Sequence, residues 1–217
     1  MEAIALLTLM FSILFLPFTT NGVSARHGIS IIDQPPAVLD SSGNILLKGE
    51  YYYLKPAIPL FRLYTAAIVP GVYRNNTCWL QLAIEVFTYG ITGVPVKFSP
   101  VEPTEDESIR ESTDLNIKFS EELSSICGGT SVLKVGAIGD EFLSLGGAEE
   151  DRISWFKIEK ASEISNNVYK LVSSSDPQVG RDVGNSTRFD GTKRLVLSDV
   201  ALPFSFEPLR NGPSASK

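Results

Sequence analysis

The chain is poorest in the residues that carry most enzyme chemistry. Across 217 residues there is one histidine, His27, two cysteines, Cys78 and Cys127, and two tryptophans. A Ser-His-Asp or Cys-His hydrolase needs a histidine set inside a fold, whereas His27 lies near the N-terminus and reads as tail. A transition-metal site draws on several His or Cys, so no metal is expected. There is no Walker loop and no G-x-G-x-x-G run opening a helix, the glycine cradles that hold phosphates. Bases are the minority charge, 19 Lys and Arg against 25 Asp and Glu, for a net charge of −6. Nucleic acid and anionic membrane surfaces attract a basic face, so neither is expected as a partner. Only carboxylates remain as abundant reactive groups. The expectation is a binding protein without enzyme activity or cofactor.

What is present suits one globular domain: 43% hydrophobic, 10% aromatic and 20% charged residues, too apolar for a disordered chain. Residues 4–18 form an uncharged apolar block. That length fits the core of a secretory signal and falls short of a membrane span. Val23-Ser24-Ala25 follow with small residues at the spacing a signal peptidase reads, so cleavage is expected after Ala25. Glu2 in place of a basic residue departs from the usual pattern. The mature chain would be residues 26–217 with a net charge of −5. No later segment is apolar enough to span a bilayer. Secretion into an oxidising compartment makes a Cys78–Cys127 disulfide the expected state of the two thiols. Asn75 and Asn185 each head an N-x-S/T sequon and are candidate glycosylation sites.

The mature chain reads as short strands between turns. Leu115–Phe119 and Phe204–Glu207 alternate apolar and polar residues. Tyr51–Leu54, Leu60–Tyr64, Trp79–Phe87, Val94–Phe98, Val132–Val135, Ile153–Ile158, Val168–Val172 and Arg194–Leu197 are rich in the residues strands favour. Turn signals separate them at Ser42-Gly43-Asn44, Tyr89-Gly90, Gly128-Gly129, Gly146-Gly147 and Asp190-Gly191. No helical stripe persists over three turns, and Glu105–Asp114 reads as loop. Strands at this spacing fit an all-β barrel or an all-β sandwich equally well. The last ten residues, from Pro208, read as a frayed tail.

Particular residues then narrow the choice. Val38-Leu39-Asp40, Gly43-Asn44, Leu46 and Gly49 leading into Tyr52-Tyr53 resemble the opening signature of the plant Kunitz-type (soybean trypsin inhibitor) family. The likeness continues through Cys78, Leu115–Phe119, Cys127, Trp155–Lys160, Asn167–Val172 and Asp190–Leu197, in the family's order and spacing. The second half is similar to the miraculin-like branch. The resemblance implies a β-trefoil of twelve strands with pseudo-threefold symmetry, six in a barrel and six in a cap. It also implies a monomeric plant secretory protein of the apoplast or vacuole, and a protease as partner, although some members bind other things.

Three departures bear on function. Cys78 and Cys127 match the family's first disulfide, but Ser174 and Gly180 stand where the second is expected, which predicts a looser Ser173–Ser186 segment. The stretch matching the family's reactive loop is Ser99-Pro100-Val101-Glu102-Pro103-Thr104-Glu105-Asp106-Glu107-Ser108. Counting forward from Cys78 puts the key bond at Glu102–Pro103, and counting back from Phe119 puts it at Glu105–Asp106. Neither offers the Lys or Arg that trypsin needs. Trypsin's pocket carboxylate would face a glutamate, and like charges out of water repel by several kcal/mol. The family's loop-bracing Asn appears as Lys48, which is expected to leave the loop without its brace. Arg110 reads as structural, and Trp79 and Trp155 as packing. The expected function is that of a secreted, defence-related Kunitz-type inhibitor directed away from trypsin, with a non-inhibitory trefoil binding protein as the alternative.

Overall fold

The computed structural model describes residues 34–57, 65–70, 82–87, 93–121, 129–136, 141–162, 167–176, 178, 180–187, 189 and 191–209. Twelve strands lie among them. They are β1 (Tyr52–Pro56), β2 (Thr65–Pro70), β3 (Leu82–Phe87), β4 (Pro95–Pro100), β5 (Leu115–Phe119), β6 (Leu133–Val135), β7 (Leu143–Leu145), β8 (Phe156–Lys160), β9 (Tyr169–Ser173), β10 (Arg181–Thr187), β11 (Lys193–Ser198) and β12 (Phe204–Pro208). A single 3-10 turn at Arg152–Ser154 is the one helical element described.

The pairings close a ring. Antiparallel neighbours run β12-β1-β4-β5-β8-β9, and β9 pairs with β12 to complete it. Six strands thus form a barrel with no free edge, which removes the unpaired N–H and C=O rows an open sheet would expose. The remaining six pair as three hairpins, β2–β3, β6–β7 and β10–β11. Each set of four consecutive strands therefore contributes its outer two to the barrel and its inner two to a hairpin. That threefold repetition defines a β-trefoil, the choice that strand and turn patterns alone left open.

The two-residue period of a strand fills the barrel. Leu54, Val96, Phe98, Ile117, Phe119, Phe156, Ile158, Tyr169, Leu171, Phe204 and Phe206 are all buried. Phe98 meets Phe206 edge to face with ring centroids 5.3 Å apart, and Tyr169 lies 5.6 Å from the same ring. The tyrosine keeps its polar end satisfied, because its hydroxyl accepts the Leu39 N–H at 2.9 Å.

The opening signature folds as a turn tied to the barrel. Asp40, 3% exposed, accepts the N–H groups of Ser42 at 2.8 Å and Asn44 at 2.9 Å. This is the Asx-turn chemistry that favours Asp before Gly-Asn, and Gly43 takes the left-handed conformation (φ 86°) that the turn requires. The Ser41 N–H then bonds to Phe206 O at 2.8 Å.

The structure departs from the sequence expectations in several places. The 3-10 turn occupies the first half of the expected Ile153–Ile158 strand. Asn116, placed on the polar face of its strand, is buried, and its amide donates to Ser154 O at 3.1 Å and Glu149 O at 3.4 Å. The turn at 149–154 therefore uses an internal polar anchor that alternation cannot reveal. Strands β2, β7 and β10 were not expected, because their sequences TAAIVP, LSL and RDVGNST carry alanine, brevity or polarity instead of a strand pattern. Of the Ser173–Ser186 segment, Ser173 ends β9 and Arg181–Ser186 belong to β10. Leu60–Tyr64 and Tyr89-Gly90 lie outside the described residues, as do residues 1–33, Trp79 and 210–217. No helix among the described residues is long and apolar enough to cross a membrane.

Candidate functional site

The site grows out of the β4–β5 connection. Strand β4 ends at Pro100, and Val101 N–H donates to Asp114 O at 2.9 Å, which pins the loop's two ends beside β5. The returning leg is held more tightly. Ser108 pairs with Leu47, and Arg110 with Ala37. Ile109 sits between them, donating to Leu46 O at 2.9 Å and accepting from Val38 N–H at 2.9 Å. Val38, Leu46 and Ile109 are each 0% exposed and belong to the barrel's own core. The leg is thus a short strand-like insert between two core-anchored segments.

Between these fixed ends Glu102, Pro103, Thr104 and Glu105 are exposed. Lys48, the position expected to leave the loop unbraced, reaches into it. Its Nζ donates to Thr104 O at 3.0 Å and lies 3.0 Å from Glu107 Oε1, while its backbone N–H donates to Glu107 O at 2.8 Å. A long lysine stem spans a gap that a shorter amide would have to sit closer to bridge. That is why substitution by residue type alone misjudged the position.

Asp106 organises the other side. Thr104 Oγ1 accepts the Asp106 N–H at 3.1 Å, bridging across Glu105. The Asp106 carboxylate accepts the Ser108 N–H at 2.9 Å through one oxygen. The other oxygen takes Arg110 Nε at 2.8 Å and Nη2 at 2.7 Å. Donation from the Ser108 amide, then from the Arg110 guanidinium, holds the Asp106 carboxyl down to about 2, below its usual 3.8. Arg110 is itself fixed, since Nη1 donates to Pro35 O at 3.1 Å. Glu102 and Glu105 make no ion pair or hydrogen bond among the described residues. The T-x-D and D-x-S spacings around Asp106 are the sequence signal for these turn contacts, and Arg110 four residues on is the signal for the ion pair.

The other sequence-singled residues fall apart from this loop. Asn185 is exposed on β10, followed by exposed Ser186 and Thr187. Ser174 and Gly180 flank the neck of the β9–β10 loop, one residue beyond the Ser173–Arg181 pair. Ser174 Oγ donates to Asp114 Oδ1 at 2.5 Å, so a hydrogen bond occupies the position where relatives' second cross-link was expected. Trp155 packs at the rim, its Nε1 donating to Glu149 O at 2.8 Å with Arg152 over its ring. Asn75, Cys78 and Cys127 lie outside the described residues. An open cleft of about 520 Å³ beside β4 and β5 is crossed by the Lys118–Glu149 ion pair at 2.6 Å.

A closed six-stranded barrel with three hairpins defines the β-trefoil class. Comparison with known proteins then gives the family. Residues 38–208 match the legume Kunitz family of trypsin and protease inhibitors, and the chain belongs to that family. It is similar to Kunitz trypsin inhibitor 5 of Arabidopsis thaliana, with 29% identity over 91% of this chain and 98% of the relative. It is equally similar to miraculin of Synsepalum dulcificum, 29% identical over 95% of this chain and 97% of that protein. The solved structure of soybean trypsin inhibitor superposes with a TM-score of 0.64 and 25% identity, covering 80% of this chain and 100% of the inhibitor.

Proposed function

We propose that this chain is a secreted Kunitz-type inhibitor, without enzyme activity of its own, whose β4–β5 loop presents Glu105 in place of a base. The observation that carries the reading is the double hold on one peptide unit. Lys48 grips Thr104 O on one side of Glu105, and Arg110 grips Asp106 on the other. A segment already held in one exposed shape loses little ordering entropy when a protease docks on it. The same contacts favour Glu105–Asp106 over Glu102–Pro103 as the presented bond, because the latter has no amide N–H at Pro103 and no clamp on either residue. Trypsin is disfavoured by like charge in its pocket. The fitting target is a protease that accepts an acidic residue. A monomer with a Cys78–Cys127 disulfide, cleaved after Ala25 and carrying glycan at Asn75 and Asn185, completes the proposal.

Titration of the purified protein against trypsin, a glutamate-selective serine endopeptidase, a cysteine protease and an aspartic protease tests it. The expected result is stoichiometric inhibition of the glutamate-selective enzyme alone. Absence of inhibition at micromolar concentration in every class would sink the reading. That outcome would favour a non-inhibitory binding protein, the alternative to which the similarity to miraculin lends support.

A further inference from the structure

We infer that Arg110 is a positioning residue for the second half of the presented peptide, holding it through a guanidinium anchored on the barrel. This rests on the reading of Glu105–Asp106 as the presented bond. Arg110 lies outside the exposed loop, on a leg paired with Ala37, and next to Ile109, which is fully buried. Three of its N–H groups are used. Two hold one Asp106 oxygen at 2.7 and 2.8 Å, and the third holds Pro35 O at 3.1 Å. The planar fork fixes direction as well as distance, which a lysine at the same place would not. Because the second Asp106 oxygen accepts the Ser108 N–H, the carboxylate is a three-point node joining the loop to the core.

The consequence appears if a protease cuts the bond. Water adds hydroxyl to the Glu105 carbonyl carbon as the C–N bond breaks, leaving a Glu105 carboxylate and an amino group on Asp106. Resynthesis reverses this and releases the water. With Asp106 tethered to Arg110 and Thr104 tethered to Lys48, the new ends stay adjacent. The cut and intact forms therefore interconvert on the enzyme instead of separating. An untethered Asp106 end would move away, and the loop would become an ordinary substrate.

The test compares the full-length secreted protein with Arg110→Gln, Arg110→Lys and, as a control ion pair far from the loop, Lys170→Gln. The first readout is deuterium exchange at the Asp106 and Ser108 amides. In Arg110→Gln it is expected to rise about tenfold, in Arg110→Lys to rise less, and in Lys170→Gln to stay at the parent rate. The second readout is the cut-to-intact ratio after long incubation with a glutamate-selective serine endopeptidase. The parent is expected to stop at a mixture, and Arg110→Gln to run to complete cleavage after Glu105. Equal exchange and an equal final ratio in Arg110→Gln and the parent would overturn the inference, whether or not the parent inhibits. Faster exchange in Arg110→Gln with no protease complex in the parent would uphold Arg110's positioning role and defeat the inhibitor reading alone. Should Arg110→Gln fail to fold, the same comparison with Arg110→Lys decides.

Discussion

The barrel interior and the acidic loop are built from opposite materials. The barrel closes over phenylalanine, leucine, isoleucine and valine, with aromatic rings in contact and almost no charge inside. The loop from Val101 to Glu107 contributes almost no buried apolar surface. It is held by Lys48, Asp106 and Arg110 through charged hydrogen bonds at the surface. Apolar burial contributes stability in proportion to area and is not subject to the screening by salt that weakens charge pairs. Exposed ion pairs contribute little stability and weaken with salt. Global stability and loop shape are therefore separable properties, joined through Val101 on Asp114, Lys48 on Thr104 and Glu107, and the leg Ser108–Arg110.

The sharpest way to break that separation is to damage the core. Phe206→Ala removes a ring that touches both Phe98 and Tyr169 and should cost about 3–5 kcal/mol, read from denaturant unfolding. If the loop is independent, Asp106 and Ser108 exchange, which runs through local opening, should keep the parent rate until global opening becomes the faster route near the new midpoint. A loop that loosens in step with the core would refute the separation.

Charge reversal at the presented residue tests the loop from the other side. Glu105→Arg should raise affinity for trypsin by roughly 100-fold, since a like-charge clash becomes an ion pair, with unfolding unchanged. Arg at position 102 with Ile at 103 should give no comparable gain. If that double substitution inhibits trypsin and Glu105→Arg does not, Glu102–Pro103 is the presented bond.

A cross-link sits between the two extremes. Ser174→Cys with Gly180→Cys should stabilise the fold by about 2 kcal/mol on the chain-entropy model. The gain is reduced because a Cβ at Gly180 would meet Val172 Cγ1 at 2.8 Å. Thermal unfolding with and without reductant measures it.

The smallest effect expected is of pH on the loop. The Asp106 carboxyl is depressed to about 2 in the folded chain. Its contribution is fully present above the ordinary carboxylate value of 3.8 and is lost as pH falls through about 2. The Ser108 amide shift should stay constant from pH 7 to pH 4 and titrate only near pH 2. A midpoint near 4 would mean that the Ser108 amide and Arg110 do not hold the carboxylate.

The sequence carried much of this, unevenly. Strands with clean alternation, Leu115–Phe119 and Phe204–Glu207, coincide with β5 and β12 or fall within them, because a half-buried strand imprints its period on the residue order. The Asp40 turn was legible because Asx chemistry is local. Strand β10 was not, since its hairpin leaves Asn185, Ser186 and Thr187 exposed, and no alternation is selected there. Asn116 misled for the reverse reason, being a polar residue whose partners lie more than thirty positions away. At the site, the missing base and the acidic run were plain to read. Lys48 was identified by position but misjudged in effect, because its reach to Thr104 depends on where two distant segments are set down.

Residue order by itself determined the class of material: short strands, local turns, an apolar interior, and an acidic β4–β5 connection. Those properties depend on neighbours along the chain, and neighbours are what a sequence states. Tertiary structure alone decided that β9 and β12 meet to close the barrel. It also brought Lys48 to Thr104 across 56 positions and Arg110 to Pro35 O across 75. Contacts at that separation arise from how the whole core packs, and no local pattern encodes them.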